Sequence, residues 1–227
     1  MSQAAHLAQS NSSVLSTKIA MAHPRLDFSA RRFWKHPDLR ALLPKFYIEL
    51  YDVVRGGLSV MESAQRRSEG LSQTDPVAAM LAEYYARHLV EERDHDEWLL
   101  EDMTHCGIDA QNARSHIPSG AVAALLGAQQ YWVEHQHPVA FLGYVAVVEG
   151  NPPVQQHINE IRDVTGYPDA AFRSLREHAD ADTAHAAELR HFIDSLPLSP
   201  RHHELLGLSA FETIAGLARI FDQLCPE

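Results

Sequence analysis

The stretch His178-Ala-Asp180-Ala-Asp182-Thr-Ala-His185 sets three metal-ligand side chains, His178, Asp182 and His185, at i, i+4 and i+7. On a helix that spacing keeps them within about 40° of one another. Alanines at 179, 181, 184 and 186 leave space around them, and Phe172, Leu175, Leu189 and Phe192 continue the same broad face. Polar groups inserted in an apolar stripe are costly unless paired or metal-bound. Taken alone, the segment also reads as an exposed stripe of an amphipathic helix. A second segment, His88-Leu-Val-Glu91-Glu92-Arg-Asp94-His95, has the same character. On one continuous helix Glu92 would lie about 60° from His95 and His88 about 20° from it, with Glu91 about 40° to the other side and still in the set. A solvated charged face is the plainer reading of this segment by itself. The third segment, Phe141 to Gly150, is an apolar run that ends in one carboxylate, Glu149. A buried lone glutamate calls for a metal, an arginine or a shifted pKa; an exposed helix end would need none of these.

In chain order the segments supply three carboxylates, Glu92, Glu149 and Asp182, and three imidazoles, His95, His178 and His185, with His88 in addition. Carboxylate and imidazole together suit iron or manganese held between the helices of a bundle, whereas thiolates would point to zinc or an iron–sulfur cluster.

The elements that must position these groups are helical nearly throughout after residue 36. Helices are expected over 38–67, from Asp75-Pro76 to Gly107, over 119–135, over 138–150, over 154–165 ending at Gly166, over 169–195, and from Ser199-Pro200 to Leu224. Gly56-Gly57 inside the first implies a kink or a close helix contact. Residues 1–25 read as a polar, mobile tail and 26–227 as one domain. The first and last of these helices would line a pocket with Phe46, Leu50, Phe211 and Ile214, a weak pointer to an apolar substrate.

Composition narrows the class. The chain has 227 residues, 45% of them hydrophobic and 22% charged, enough for one well-cored globular domain. A net charge of −11 argues against nucleic acid as a partner. The two cysteines, Cys106 and Cys225, form no CxxC pair, which excludes zinc fingers and thioredoxin-type redox motifs. A reducing cytoplasm is the expected location. No apolar run reaches the ~18 residues a membrane span needs, and no secretory signal opens the chain. Fifteen histidines stand out, but only His88, His95, His178 and His185 have a positional reason.

The ordered set resembles the heme-oxygenase-like superfamily, specifically its diiron oxidases and oxygenases, over about residues 37–225. That family's H-x3-D-x2-H pattern is matched by His178, Asp182 and His185, and its Tyr-x4-Glu-Gly by Tyr144 and Glu149-Gly150. The E-x2-H pair of its 1-undecene-forming fatty-acid decarboxylase type is matched by Glu92 and His95. Other members carry Glu seven residues before that His; here the position holds His88, a departure. The resemblance implies an all-α, heme-oxygenase-like (TenA/PQQ-synthase-like) bundle of about seven helices holding two non-heme irons. Glu92, His95, Glu149, His178, Asp182 and His185 would be its metal ligands and catalytic set, with His88 as an extra ligand, a neighbour of one or the sign of an altered metal site. One iron would take Glu92, His95 and His185 or part of that set, the other His178 and Asp182, with Glu149 bridging. The implied activity is O2-dependent oxidation of a small organic substrate, amino-acid-derived or fatty-acid-like, without nucleic acid or membrane partners; a homodimer follows by analogy.

The same fold also carries TenA-type hydrolases with a nucleophilic cysteine, the cofactor-free PQQ synthase, and heme oxygenases, so fold alone decides nothing. A cofactor-free oxidase or TenA-type hydrolase is therefore one alternative, and a non-enzymatic metal-binding helical protein another. Neither cysteine is placed as a nucleophile, and His36, the nearest candidate for a heme ligand, precedes its helix.

Overall fold

A computed structural model describes residues 9–150 and 153–225, with the side chains of 181–184 excepted. All regular structure among the described residues is helical. In chain order the helices are α1 (Asn11–Trp34), α2 (Leu39–Leu71), α3 (Pro76–Glu91), α4 (His95–His105), α5 (Ala110–Arg114), α6 (Gly120–His135), α7 (Phe141–Val148), α8 (Gln155–Thr165), α9 (Arg173–Ser195) and α10 (Pro200–Leu224). Short 3₁₀ turns precede α7 and α9. None of the described helices is long and apolar enough to cross a membrane.

The largest departure from the sequence-based expectation is α1. Residues 11–25 are not a tail but the first half of a helix that lies along α10. Ser10 caps it, and its first residues bind the end of α9. Asn11 donates to the carbonyls of Ile193 and Leu196, and Ser12 donates from both N and Oγ to Asp194. Further along, Lys18 reaches the carbonyl of His203, Arg25 pairs with Asp222, and Arg32 reaches the carbonyl of Cys225. These polar contacts are made to other helices, so local polarity conceals them.

Helix α2 runs through Gly56-Gly57 without a break. The two glycines serve close packing: a Cβ at Gly57 would lie 2.9 Å from the Tyr144 hydroxyl, and one at Gly56 would collide with Leu126. Gly143 plays the same part between α7 and α10, where a Cβ would run into the backbone carbonyl of Leu206. One core cluster gathers around α2, α3, α6, α7 and α10, and a second joins the end of α1, the start of α2, α4 and α8.

The single helix expected over 75–107 is two helices. Asp94 adopts φ 69°, the left-handed region, which ends α3 and lets α4 start in a new direction. Such a conformation is uncommon for a residue other than glycine, and aspartate tolerates it better than most. Its position between Glu92 and His95 bears directly on the site.

Candidate metal centre

Four elements converge on the site. His88 and Glu92 come from the end of α3, His95 opens α4, Glu149 follows the last turn of α7, and His178 and His185 lie on α9. Because the chain turns at Asp94, the face shared by His88 and His95 on one continuous helix does not exist. The turn instead folds Glu92 and His95 onto each other, with His95 Nδ1 donating to Glu92 Oε2 at 2.8 Å.

Two triads of ligand atoms result, each with its atoms within 4.8 Å of one another. One is Glu92, His95 and His178; the other is His88, Glu92 and Glu149. Glu92 belongs to both. Among the described residues, His178 rather than His185 groups with Glu92 and His95, and Glu92 rather than Glu149 is common to the two triads. His185 lies beside His88, ring centroids 5.8 Å apart. The side chain of Asp182 lies outside the described residues, so its expected role is neither placed nor displaced.

The surroundings set the protonation of each group. His178 is half-buried, and that burial pushes its pKa below the ordinary histidine value. Its Nδ1 donates to the carbonyl of Ser174 at 2.7 Å, which leaves the Nε2 lone pair available. Ser174 is fixed in turn by Asp102, a fully buried carboxylate. Asp102 accepts from the N–H groups of Arg173 and Ser174 and from Ser174 Oγ. It thus serves as a cap borrowed from α4 for α9, whose own N-cap, Phe172, has no capping side chain. Carbonyl-oriented histidine is the usual arrangement behind a metal ligand.

Glu92 is held below the usual carboxylate range: burial works the other way, but the hydrogen bond from His95 and the neighbouring His95, His88 and His178 outweigh it. For His88, burial favours the neutral form. The hydrogen bond from Nε2 to Glu149 Oε1 at 2.8 Å, with the charges of Glu149, Glu92 and Glu91, overcomes this and raises the pKa to about 9. Its other nitrogen lies 3.4 Å from Glu91 Oε2. Glu149 Oε2 is buried with no hydrogen-bond partner among the described residues. Such an atom is expensive unless something positive meets it.

That orphaned oxygen, the free Nε2 of His178 and the carboxylate–imidazole donor set fit a divalent metal. Aromatic rings enclose the donors. Tyr84 stacks on His88, with ring centroids 5.4 Å apart, and Trp98 stacks on His95, with centroids 4.2 Å apart. Asp102, Ser174 and the stacking role of Trp98 were not among the sequence candidates; Ser174, one helical turn before His178, is the one that spacing could have exposed.

On one side the centre opens into a cavity of about 410 Å³ along α2, with Glu92, Glu149 and His178 in its wall. Phe46 and Leu50 line it as expected, but Phe211 and Ile214 do not; α10 contributes Leu217, Ile220 and Phe221 instead, because its register turns Phe211 outward.

The chain matches the family described as iron-containing redox enzymes over residues 64–210, well over half its length. It belongs to that family. The family segment carries every residue of the two triads. Solved structures extend the likeness to the fold. A protein of unknown function with a heme oxygenase-like fold from Shewanella denitrificans OS217 aligns with a TM-score of 0.72 at 16% identity, covering 93% of this chain and 88% of its own. A TenA homolog from Pseudomonas syringae pv. tomato str. DC3000 gives 0.71 at 13% identity over 92% and 90%. The heme oxygenase of Leptospira interrogans gives 0.60 at 16% over 95% and 100%. At these identities the structures establish the heme oxygenase-like fold and nothing finer. No curated protein matches the chain.

A third cluster, Asp75, His137 and His202, also brings ligand atoms within 4.8 Å, but its hydrogen bonds explain it as a knot of helix caps. Asp75 Oδ1 caps α3, Val139 N–H donates to His137 Nδ1, and Ser199 N–H donates to His202 Nδ1. Burial lowers the pKa of both rings. A neutral ring whose Nδ1 accepts carries its proton on Nε2, and His137 Nε2 points it at Asp75 Oδ2, 3.1 Å away. Those protons occupy the lone pairs a metal would need.

Proposed function

We propose that this iron-containing redox enzyme is a non-heme diiron oxygenase that uses O2 to oxidise a small organic molecule held in the cavity along α2. The observation that carries the reading is Glu92, one carboxylate common to two ligand triads, in the wall of an apolar cavity. Glu92, His95 and His178 would hold one ion and His88, Glu92 and Glu149 the other, with Asp182 and His185 as further ligands on α9. Iron bound there supplies O2 activation and the electron transfers of the oxidation.

The chain's own residues do the rest. The Asp102–Ser174 pair and the Ser174 carbonyl fix the ring of His178. Tyr84 and Trp98 hold the rings of His88 and His95 from behind. Leu50, Val53, Val145 and Phe221 keep water from the bound substrate. A TenA-type hydrolase finds no support in the thiols. Neither cysteine lines the cavity, and burial pushes the Cys106 thiol up to about 12, far from a ready nucleophile.

The test is to load metal-free protein with Fe(II) anaerobically and then admit O2. Retention of about two irons per chain with O2 consumption and a transient visible absorption is expected. Loss of both the stoichiometry and the absorption would overturn the reading, and tight iron binding without any O2 uptake would make this a metal-binding protein rather than an enzyme.

A further inference from the structure

The cavity's ionisable groups are unusually one-sided. Among the described residues no lysine or arginine lines it. Apart from the metal-centre side chains and the Tyr144 phenol, its ionisable groups are His23, Asp27, Glu49 and His157. The two histidines are already directed at acids: His23 Nδ1 lies 3.3 Å from Asp27, and His157 Nδ1 lies 3.5 Å from Glu160. Asp27 sits half-exposed. Glu49 is different. It lies on α2 in the wall, one turn after Phe46 and one turn before Val53. Its Oε2 is anchored by Ser119 Oγ at 2.6 Å, and it has no ion pair among the described residues. Ser119 is itself fixed, because its Oγ also accepts from Val122 N–H at the start of α6. A carboxylate so held, flanked along its helix by Phe46, Leu50 and Val53 in a mostly apolar wall, attracts a cation and repels an anion. Convergent polar groups in an apolar pocket are what fix a ligand's orientation.

We propose that the molecule this cavity selects is an apolar amine, its protonated nitrogen on Glu49 and its hydrocarbon body among Phe46, Leu50, Val53 and Phe221, and that carboxylate-bearing chains of the same size are rejected. The inference rests on the reading of the site as a substrate-oxidising centre and names its substrate class. Along α2, Glu49 precedes Gly57, where Tyr144 packs, by eight residues, about 12 Å of helix. Tyr144 lies close enough to Glu149 and Glu92 for their charges to act on it, so the amine anchors the substrate and the carbon to be oxidised lies toward the other end of its body.

The experiment is calorimetric titration of the full-length, Fe(II)-loaded protein under anaerobic conditions with n-octylamine, n-octanol and octanoate, which share a body and differ in head group. The expected order is octylamine first, at least tenfold tighter than octanol, with octanoate weakest. In Glu49→Gln the octylamine advantage should fall to less than threefold while octanol binds as before, which also shows that the variant is folded. Octanoate binding as tightly as octylamine, equal binding of amine and alcohol, or an amine affinity untouched by Glu49→Gln would each overturn the proposal. The readout needs no turnover. If the protein holds no iron or consumes no O2, the titration is run on the chain as purified, and the amine preference stands or falls apart from the oxygenase reading.

Discussion

His88 offers a consequence that can be worked to a magnitude. Its ring lies between Glu149 and Glu91, and its pKa is raised from 6.5 to about 9. The cause is the hydrogen bond to Glu149 and the surrounding carboxylates, acting against burial. A histidine whose pKa is higher folded than unfolded contributes stability that is fully present below its unfolded pKa and is lost as pH rises through the folded value. The window here runs from about pH 6.5 to about pH 9. At about 1.4 kcal/mol per pH unit, the contribution is on the order of 3 kcal/mol. The perturbation is His88→Gln, which keeps a donor for Glu149 but does not titrate. Urea unfolding of metal-free wild type and variant at about pH 6 and about pH 10 measures it. The wild-type advantage should be greatest at the lower pH and shrink by roughly 3 kcal/mol at the higher. An advantage that stays constant across the window, or grows with pH, would refute the ion pair. Metal ligation needs the neutral ring, so the same proton must leave on loading, and metal affinity should rise with pH up to about 9.

Other consequences follow from the supports of the site. Asp102→Ala removes three hydrogen bonds from the start of α9 and should cost on the order of 1–3 kcal/mol in thermal stability. Through Ser174 and His178 it should also weaken iron binding by about 10–100-fold, and iron binding unchanged in a folded variant would show that the cap does not position His178. Trp98 stacks on His95, so loading Fe(II) or Co(II) should quench a tryptophan fluorescence component that is missing in Trp98→Phe; equal quenching in the variant would place the metal elsewhere. Gly143→Ala forces a methyl against the Leu206 carbonyl between α7 and α10 and should lower stability by about 1–3 kcal/mol or more, read as a fall in the melting temperature.

Much of the fold is punctuated locally and so was legible. Asp75-Pro76, Ser119, Gly166 and Ser199-Pro200 bound their helices through side-chain caps, a proline in the first turn or a left-handed glycine. What escaped depends on partners distant in sequence. The α1 helix satisfies Asn11 and Ser12 on the end of α9, and nothing within residues 1–25 announces that. The break at Asp94 lies in a run with no glycine or proline, and only the geometry shows that it folds Glu92 back onto His95. At the centre, residue types and order pointed to helices whose His88, Glu92, His95, Glu149 and His178 side chains do come together. The grouping of ligands could not be read, because angular arithmetic on one helix says nothing about how α3, α4, α7 and α9 meet. Asp102 was invisible for the same reason: it acts across 71 and 72 positions of sequence.

In the proposed centre one carboxylate, Glu92, serves two metal positions at once. Anaerobic Fe(II) loading of wild type and Glu92→Ala, followed by removal of free metal and iron analysis per chain, tests it most directly. About two irons are expected in the wild type and the loss of both together in the variant, with helical content preserved. A variant that keeps its full iron, or loses only one, would contradict it.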